Sequence, residues 1–219
     1  MDGQPIRKAA SVLAARDAED GFEVLVLERA ASSRFLPNYV AFPGGSTEAS
    51  DAPIAERWFG SAEEVARACA IRELVEEVGL ALTADGLTES PDRALAPVDA
   101  LPPRVEQLPE VAHWVAPERV PVRFDARYFA LAAPRDLAVV PDGTETEDAW
   151  WISPTRLLED WRTGRRKLYW PTYFTVNAIA PCSSVAELLA LRIATREPDD
   201  DELERLPRST FWQDDEGEA

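Results

Sequence analysis

Arg72-Glu73-Leu74-Val75-Glu76-Glu77-Val78-Gly79 is the stretch on which the reading of this chain turns. Read as helix, Glu77 stands four residues from Glu73 and Glu76 stands three, so the three carboxylates reach toward one space. Like charges at such spacing cost an isolated helix about 0.2–0.5 kcal/mol per pair. A divalent cation offsets that repulsion. Hard ions such as Mg²⁺ or Mn²⁺ take carboxylate oxygens and are commonly shared with substrate phosphates. The competing reading is a solvated, Glu-rich helix face.

Working outward, Gly79 closes the helix as a C′ glycine, and Ser61-x-x-Glu64 reads as a capping box at its start. Val65, Ala68, Ile71, Leu74, Val75 and Val78 form an apolar stripe at helical spacing, opposite the glutamates. Upstream stands Phe42-Pro43-Gly44-Gly45. With these residues in place the sequence resembles the Nudix hydrolase family, whose signature runs Gly-x5-Glu-x7-Arg-Glu-U-x-Glu-Glu-x-Gly-U, U being aliphatic. The second half matches from Arg72 to Leu80. The first half departs from it: Asp51 stands where the family has Glu, and 20 residues, Ala52 to Ile71, replace the usual seven, an insert of 13. Asp51 either binds a cation or holds the loop. An insert at this place resembles the coenzyme A diphosphatase-like branch, especially its peroxisomal animal members. The approach Arg34 to Gly45, and the segments Trp114 to Glu118 and Arg123 to Phe129, are similar to that branch. The resemblance covers about residues 7 to 195.

Hydrolysis of a diphosphate needs charge neutralised on phosphoryl oxygens and a water placed in line. Glu73 and Glu77 are assigned as principal metal ligands and Glu76 as a further or water-mediated one. Arg72 either orients the glutamates by ion pairing or touches substrate, the first being preferred, and Gly44 and Gly45 permit a tight turn and close backbone approach. The resemblance adds the Gly45 carbonyl as a metal ligand. It also offers two sources for the general base: a glutamate of the helix, or Glu145 in the loop Asp142 to Asp148.

Arg123, Asp125 and Arg127 alternate along a strand and share a face. Arg123 and Arg127 either bind substrate phosphates or pair with Asp125. Arg165-Arg166-Lys167 beside Tyr169-Trp170 is either a further phosphate and base site or an ordinary basic turn. Trp58-Phe59 either covers the site as a lid or docks on the core. His113, the single histidine, reads as structural or exposed, with no Ser or Cys nucleophile beside it.

The expected architecture is α/β (α+β), a Nudix-type α/β/α sandwich with a mixed sheet. One domain is expected over residues 1–219, with a core of about 7–196 and an acidic tail, 197–219. Residues 7–16 and 22–29 read as a hairpin, Val122 to Ala132 and Ala149 to Ile152 as strands, and Ser153-Pro154 as a helix start. Ser183/Ser184 to Thr195 reads as the last helix, and 85–110 as an extended, exposed connection. The net charge of −17 excludes electrostatic binding of a nucleic-acid polymer. It still admits a small phosphorylated substrate, since a bound metal inverts the local sign. No apolar run approaches the length of a membrane span. Cys69 and Cys182 form no disulfide framework, no leader or peroxisomal address is expected, and a reducing cytoplasm fits.

The function expected is metal-dependent cleavage of a diphosphate in coenzyme A or an acyl-CoA, with Mg²⁺ or Mn²⁺ as cofactor. ADP-ribose, NADH and dinucleoside polyphosphates are the rival substrates. A Nudix scaffold that binds nucleotide without turnover is the rival class. The partner is then a small diphosphate, with no membrane; a homodimer is left open.

Overall fold

Each step along a strand turns the side chain to the opposite face, and residues 7–29 use both faces. In the computed structural model, which describes residues 6–118, 123–207 and 210, they form the hairpin β1 (Arg7–Ala18) and β2 (Gly21–Arg29). Val12 and Ala14 enter one core; Leu13 and Ala15 enter the other. The hairpin is zipped only near its turn, where Ala15–Ala18 pairs with Gly21–Val24. Beyond that the strands part, and the next segment fills the gap. Here β3 (Tyr39–Ala41) pairs with β2, while β4 (Gly44–Ser46) pairs with β1 at Ala9, Ala10 and Ser11. The Pro43 carbonyl accepts from Val12 N at 2.8 Å, fixing the link between them.

Most of the insert is a helix, α1 (Asp51–Phe59), closed by left-handed Gly60 (φ 70°). A 3₁₀ turn, Ala62–Glu64, follows, with Ser61 Oγ accepting from Glu63 N (3.2 Å), and leads into α2 (Val65–Val78). Trp58 is buried against the core and its Nε1 donates to Asp99 Oδ1 (2.6 Å). The insert is therefore docked structure, and the lid reading falls: Trp58 and Phe59 turn to the core.

The stretch 85–110 also departs from expectation. It holds half of a two-stranded ribbon, β5 (Leu80–Thr83) with β6 (Gly86–Glu89), then α3 (Ala96–Ala100) and a 3₁₀ turn, Val105–Gln107. Val98 and Leu108 are fully buried. Pro97 sits in the first turn of α3, where its missing N–H costs nothing, so it starts a helix there.

The sheet is completed by β7 (Glu110–Val115), β8 (Phe124–Ala132), β9 (Thr146–Ile152) and, after α4 (Pro154–Arg162), β10 (Lys167–Leu168). Among the described residues the path is β10-β3-β2-β1-β8-β7, with β4 on β1 and β9 on β2. The β1–β8 and β10–β3 pairs are parallel and the rest antiparallel, a mixed sheet as expected. Val122 lies outside the described residues. Ser153 Oγ accepts from Arg156 N, the cap expected for α4.

A helix not foreseen, α5 (Trp170–Ile179), and the short α6 (Val185–Ala190) cover one face with α4. α1, α2 and α3 cover the other, giving an α/β/α sandwich. α6 is shorter than the predicted 183–195. The backbone turns extended at Leu191, and Ile193 N donates to Val111 O (2.8 Å), so the chain runs along the edge strand β7. Asp199-Asp200-Asp201-Glu202, expected as tail, begin a helix, α7 (Asp200–Arg205), with Asp199 as its cap. Asp214-Asp215-Glu216 lie outside the described residues. No helix among the described residues is long and apolar enough to cross a membrane.

Candidate active site

The wedge of β4 in the open hairpin brings the glycines against α2. Gly44 N donates to Glu77 Oε2 at 2.8 Å. A Cβ on Gly45 would stand inside contact distance of the Glu73 carboxylate, and one on Gly44 (φ 157°) would collide with Ala10 O and Ser11. Only glycine lets this strand lie so close to the two carboxylates.

Glu77 is 5% exposed. Burial pushes its carboxyl well above the usual range and neighbouring Glu73 adds to that, against the Gly44 N–H and Arg29. Glu73 is pushed up to about 7, chiefly by burial and despite Arg72. Two like-charged groups have thus lost water and gained few cationic partners, the situation expected of a group prepared for a ligand.

Arg72 organises the surroundings. Its Nε and Nη2 donate to the two Asp51 oxygens at 2.8 and 3.2 Å, and Nη1 donates to Glu73 Oε1 (2.9 Å) and Glu76 Oε2 (2.8 Å). Asp51 is fully buried and its Oδ2 also accepts from Glu48 N (2.7 Å). Of its two readings, the geometry selects the one in which it holds the loop, by fastening α1 and the glycine segment to Arg72. Glu76 is half exposed and shares Arg72 Nη1 with Glu73, so its carboxylate stands beside that of Glu73 at the solvent side of the site. Burial likewise pushes the Cys69 thiol up, making it an inert part of the core.

Glu73 and Glu77 open onto a cavity of about 680 Å³, within the range of small-molecule sites. Its wall includes Glu145 and three arginines, Arg7, Arg29 and Arg34. Five rings, Phe35, Tyr39, Phe124, Tyr128 and Tyr169, are also in its wall. Tyr169, pushed up to about 12 by burial, is a neutral wall. A second hollow, about 400 Å³ beside Arg67 and Arg192, contains none of the glutamates of α2.

The arginines singled out from the sequence are not in this cavity. Phe124, Ala126 and Tyr128 face it, so the alternating residues point away. Arg123 donates to Ala116 O (3.2 Å) and Arg127 to Glu110 (2.9 Å). Asp125 pairs with His113 instead of either arginine. Arg165 pairs with Asp160, and Arg166 with Glu28 while lying over Trp150. The parity that turns Arg7 and Arg29 toward the cavity cannot be assigned from sequence without a partner strand. Arg34-Phe35 did stand within the approach to the glycines.

Among the described residues no three His, Cys, Asp or Glu side chains converge as metal ligands. The donors that do converge, Glu73 and Glu77 with the Gly45 backbone alongside, still suit a hard divalent cation. Mg²⁺ typically takes one or two carboxylates and completes its shell with water and substrate phosphates.

The site is thus a pair of glutamates facing a glycine segment within a mixed-sheet α/β/α sandwich. The NUDIX domain model matches residues 5–170, and the chain belongs to the Nudix family. The chain is 26% identical over 188 residues to putative nudix hydrolase 7 of Caenorhabditis elegans, covering 80% of this chain and 60% of that protein. It is 23% identical to acyl-coenzyme A diphosphatase NUDT19 of Xenopus laevis, covering 76% and 62%. The chain thus spans about three fifths of the length of these relatives. A crystal structure of a NUDIX hydrolase from Alicyclobacillus acidocaldarius superposes with a TM-score of 0.75 at 28% identity, covering 87% of this chain and 98% of that one.

Proposed function

We propose that this chain is a divalent-metal-dependent hydrolase of a diphosphate linkage in a nucleoside diphosphate derivative, with coenzyme A or an acyl-CoA as substrate. The observation that carries the reading is the desolvated Glu73–Glu77 pair facing a cavity with arginines in its wall. Glu73, Glu77 and the Gly45 carbonyl would hold Mg²⁺ or Mn²⁺. A cation there supplies Lewis-acid polarisation of a phosphoryl oxygen.

The chain's own residues do the rest. Gly44 N–H orients Glu77, and Arg72 orients Glu73. Arg7, Arg29 and Arg34 receive phosphate oxygens, a task suited to the planar guanidinium. With Glu73 and Glu77 occupied as ligands, Glu145 takes the proton from the attacking water. The phenyl and phenol rings exclude bulk water and offer faces for a base.

The coenzyme A reading draws support from the similarity to the Xenopus protein of that name and from the arginines in the cavity wall, which suit a 3′-phosphate. Coenzyme A, acetyl-CoA, dephospho-CoA, ADP-ribose, NADH and a dinucleoside polyphosphate, each with Mg²⁺ or Mn²⁺ and read by product mass, test it. The expected result is water adding across the P–O–P bridge of coenzyme A to give 3′,5′-ADP and 4′-phosphopantetheine. Dephospho-CoA should turn over more slowly. Comparable kcat/KM for ADP-ribose and coenzyme A would remove the substrate, and no turnover of any compound would leave the nucleotide-binding scaffold.

A further inference from the structure

The last turn of a helix leaves backbone carbonyls without intrahelical donors. In α2 most are taken up by segments distant in sequence. Asp142 N donates to Glu77 O (3.0 Å) and Val140 N to Val78 O (3.3 Å). Gly79 N donates to Val75 O (3.0 Å), and Arg93 supplies the donor for Glu76 O. Its Nη1 donates to Glu76 O at 2.7 Å and reaches Val75 O at 3.5 Å, while Nη2 donates to Val140 O at 2.9 Å. One guanidinium thus bridges the helix that bears Glu73 and Glu77 to the loop over residues 139–145. A cation at this helix end also meets the negative pole of the backbone dipoles.

That loop delivers Glu145 to the cavity wall. It is braced from within by Asp142, whose carboxylate accepts from Thr146 N (2.7 Å), Glu145 N (3.1 Å) and the Thr144 hydroxyl. Ala30 N donates to Glu145 O (2.9 Å) on the other side. Arg93 itself has φ 57°, a left-handed conformation that a residue with a Cβ adopts seldom. Ser90 fixes that turn: its carbonyl accepts from Arg93 N (2.9 Å) and its hydroxyl donates to Ala94 O (2.9 Å). Ser90 N in turn donates to Gly79 O (2.7 Å), just past the helix. An uncommon backbone conformation maintained by such bonds points to a use.

We infer that Arg93 is a positioning residue that clamps the loop carrying Glu145 to the end of α2, and so sets that carboxylate against Glu73 and Glu77. The catalytic consequence rests on the proposed diphosphate hydrolysis; the clamp does not.

Arg93→Gly separates side chain from backbone, because glycine adopts positive φ freely. The variant keeps the turn and loses only the guanidinium. Three measurements apply: hydrogen exchange of the amides between residues 140 and 146, Mn²⁺ binding, and steady-state kinetics on the diphosphate substrates, alone and combined with Glu145→Gln. Exchange in that loop should accelerate by about tenfold or more with Mn²⁺ binding retained. kcat should fall by about tenfold to a hundredfold with KM little changed, the size expected when a reacting group is misplaced by about 1 Å. The double variant should be no slower than Glu145→Gln, and Arg93→Lys, which keeps one cationic donor, should recover part of kcat. Unchanged loop exchange, full kcat in Arg93→Gly, or additive losses in the double variant would overturn the inference. If the wild type hydrolyses none of the diphosphates, the functional reading fails and loop exchange alone decides the clamp.

Discussion

Two acidic helical segments of this chain look alike as strings of letters and behave oppositely in the fold. α2 carries Glu73, Glu76 and Glu77; α7 opens with Asp199, Asp200, Asp201 and Glu202. In α7 the three aspartates remain in water, with the Asp201 side chain 82% exposed. Asp199 caps the helix by accepting from Glu202 N (2.8 Å), and Glu202 pairs with Arg196. Acidic groups at a helix start are favourable without any ligand. In α2 the Glu73 side chain is 13% exposed and Glu77 is buried under Gly44. Desolvated like charges cost free energy until a cation arrives. Loss of water, more than the count of acids, separates a binding site from a solvated face.

The comparison is broken most severely at Glu77. Glu77→Gln removes a buried charge while keeping the shape and the acceptor for Gly44 N. The metal-free variant should melt no lower than wild type. Turnover should fall by about a thousandfold or more, since metal assistance is worth several kcal/mol at about 1.4 kcal/mol per tenfold. Wild type should melt higher with Mn²⁺, by about 2.7 kcal/mol of stability at a hundred times Kd, and Glu77→Gln should lose most of that gain. Calorimetric scans with and without Mn²⁺ check this; equal gains in both proteins would move the cation elsewhere.

Asp51 gives the next largest effect, on stability. Asp51→Ala leaves Arg72 without its bidentate partner in a buried position and Glu48 N without an acceptor. Breaking one side of a buried pair costs about 3–5 kcal/mol. Urea unfolding should show the loss, while Mn²⁺ affinity measured below the transition stays within a few fold. The reverse pattern, normal stability with Mn²⁺ binding lost, would make Asp51 a ligand.

The readable parts of the sequence were those with a turn, period or cap signal. The β1–β2 hairpin, the apolar stripe of α2 and the Ser153-Pro154 start of α4 each announce themselves through period or cap chemistry. α5 escaped because it is buried nearly all round, from Trp170 to Ile179, so no stripe distinguishes it. Prolines between 85 and 110 suggested an exposed run, yet Val98 and Leu108 anchor that segment in the core. At the site, Glu73 and Glu77 follow from helical spacing, but the pairing of Glu76 with Arg72 depends on where the guanidinium is held. The misassigned Arg123 and Arg127 are a parity error on β8. One residue of register moves every side chain to the other face, and nothing local says which face of β8 lines the cavity: the Arg123–Arg127 face continues into Phe129 and Leu131, which pack with α2.

The smallest effect is expected in α7, where the comparison is sharpened by a change that should leave chemistry alone. Asp199→Ala deletes the side-chain acceptor of Glu202 N and leaves only the reciprocal bond from the backbone N of residue 199 to Glu202 Oε2 (3.1 Å). An N-cap of this kind is worth about 1 kcal/mol. Glu202 also holds Arg196, whose guanidinium lies over Trp114 and Phe174 at 5.3 and 5.4 Å. Loosening the cap should therefore raise amide exchange locally in residues 196–205 and change the Trp114 environment slightly. kcat and KM should stay within about twofold, because none of these groups lines the cavity of Glu73 and Glu77. Mn²⁺ titration should give the same stoichiometry as wild type. A lost equivalent of Mn²⁺ in Asp199→Ala would show that a solvated acidic turn can bind a cation in this chain, and would remove burial as the property that sets α2 apart.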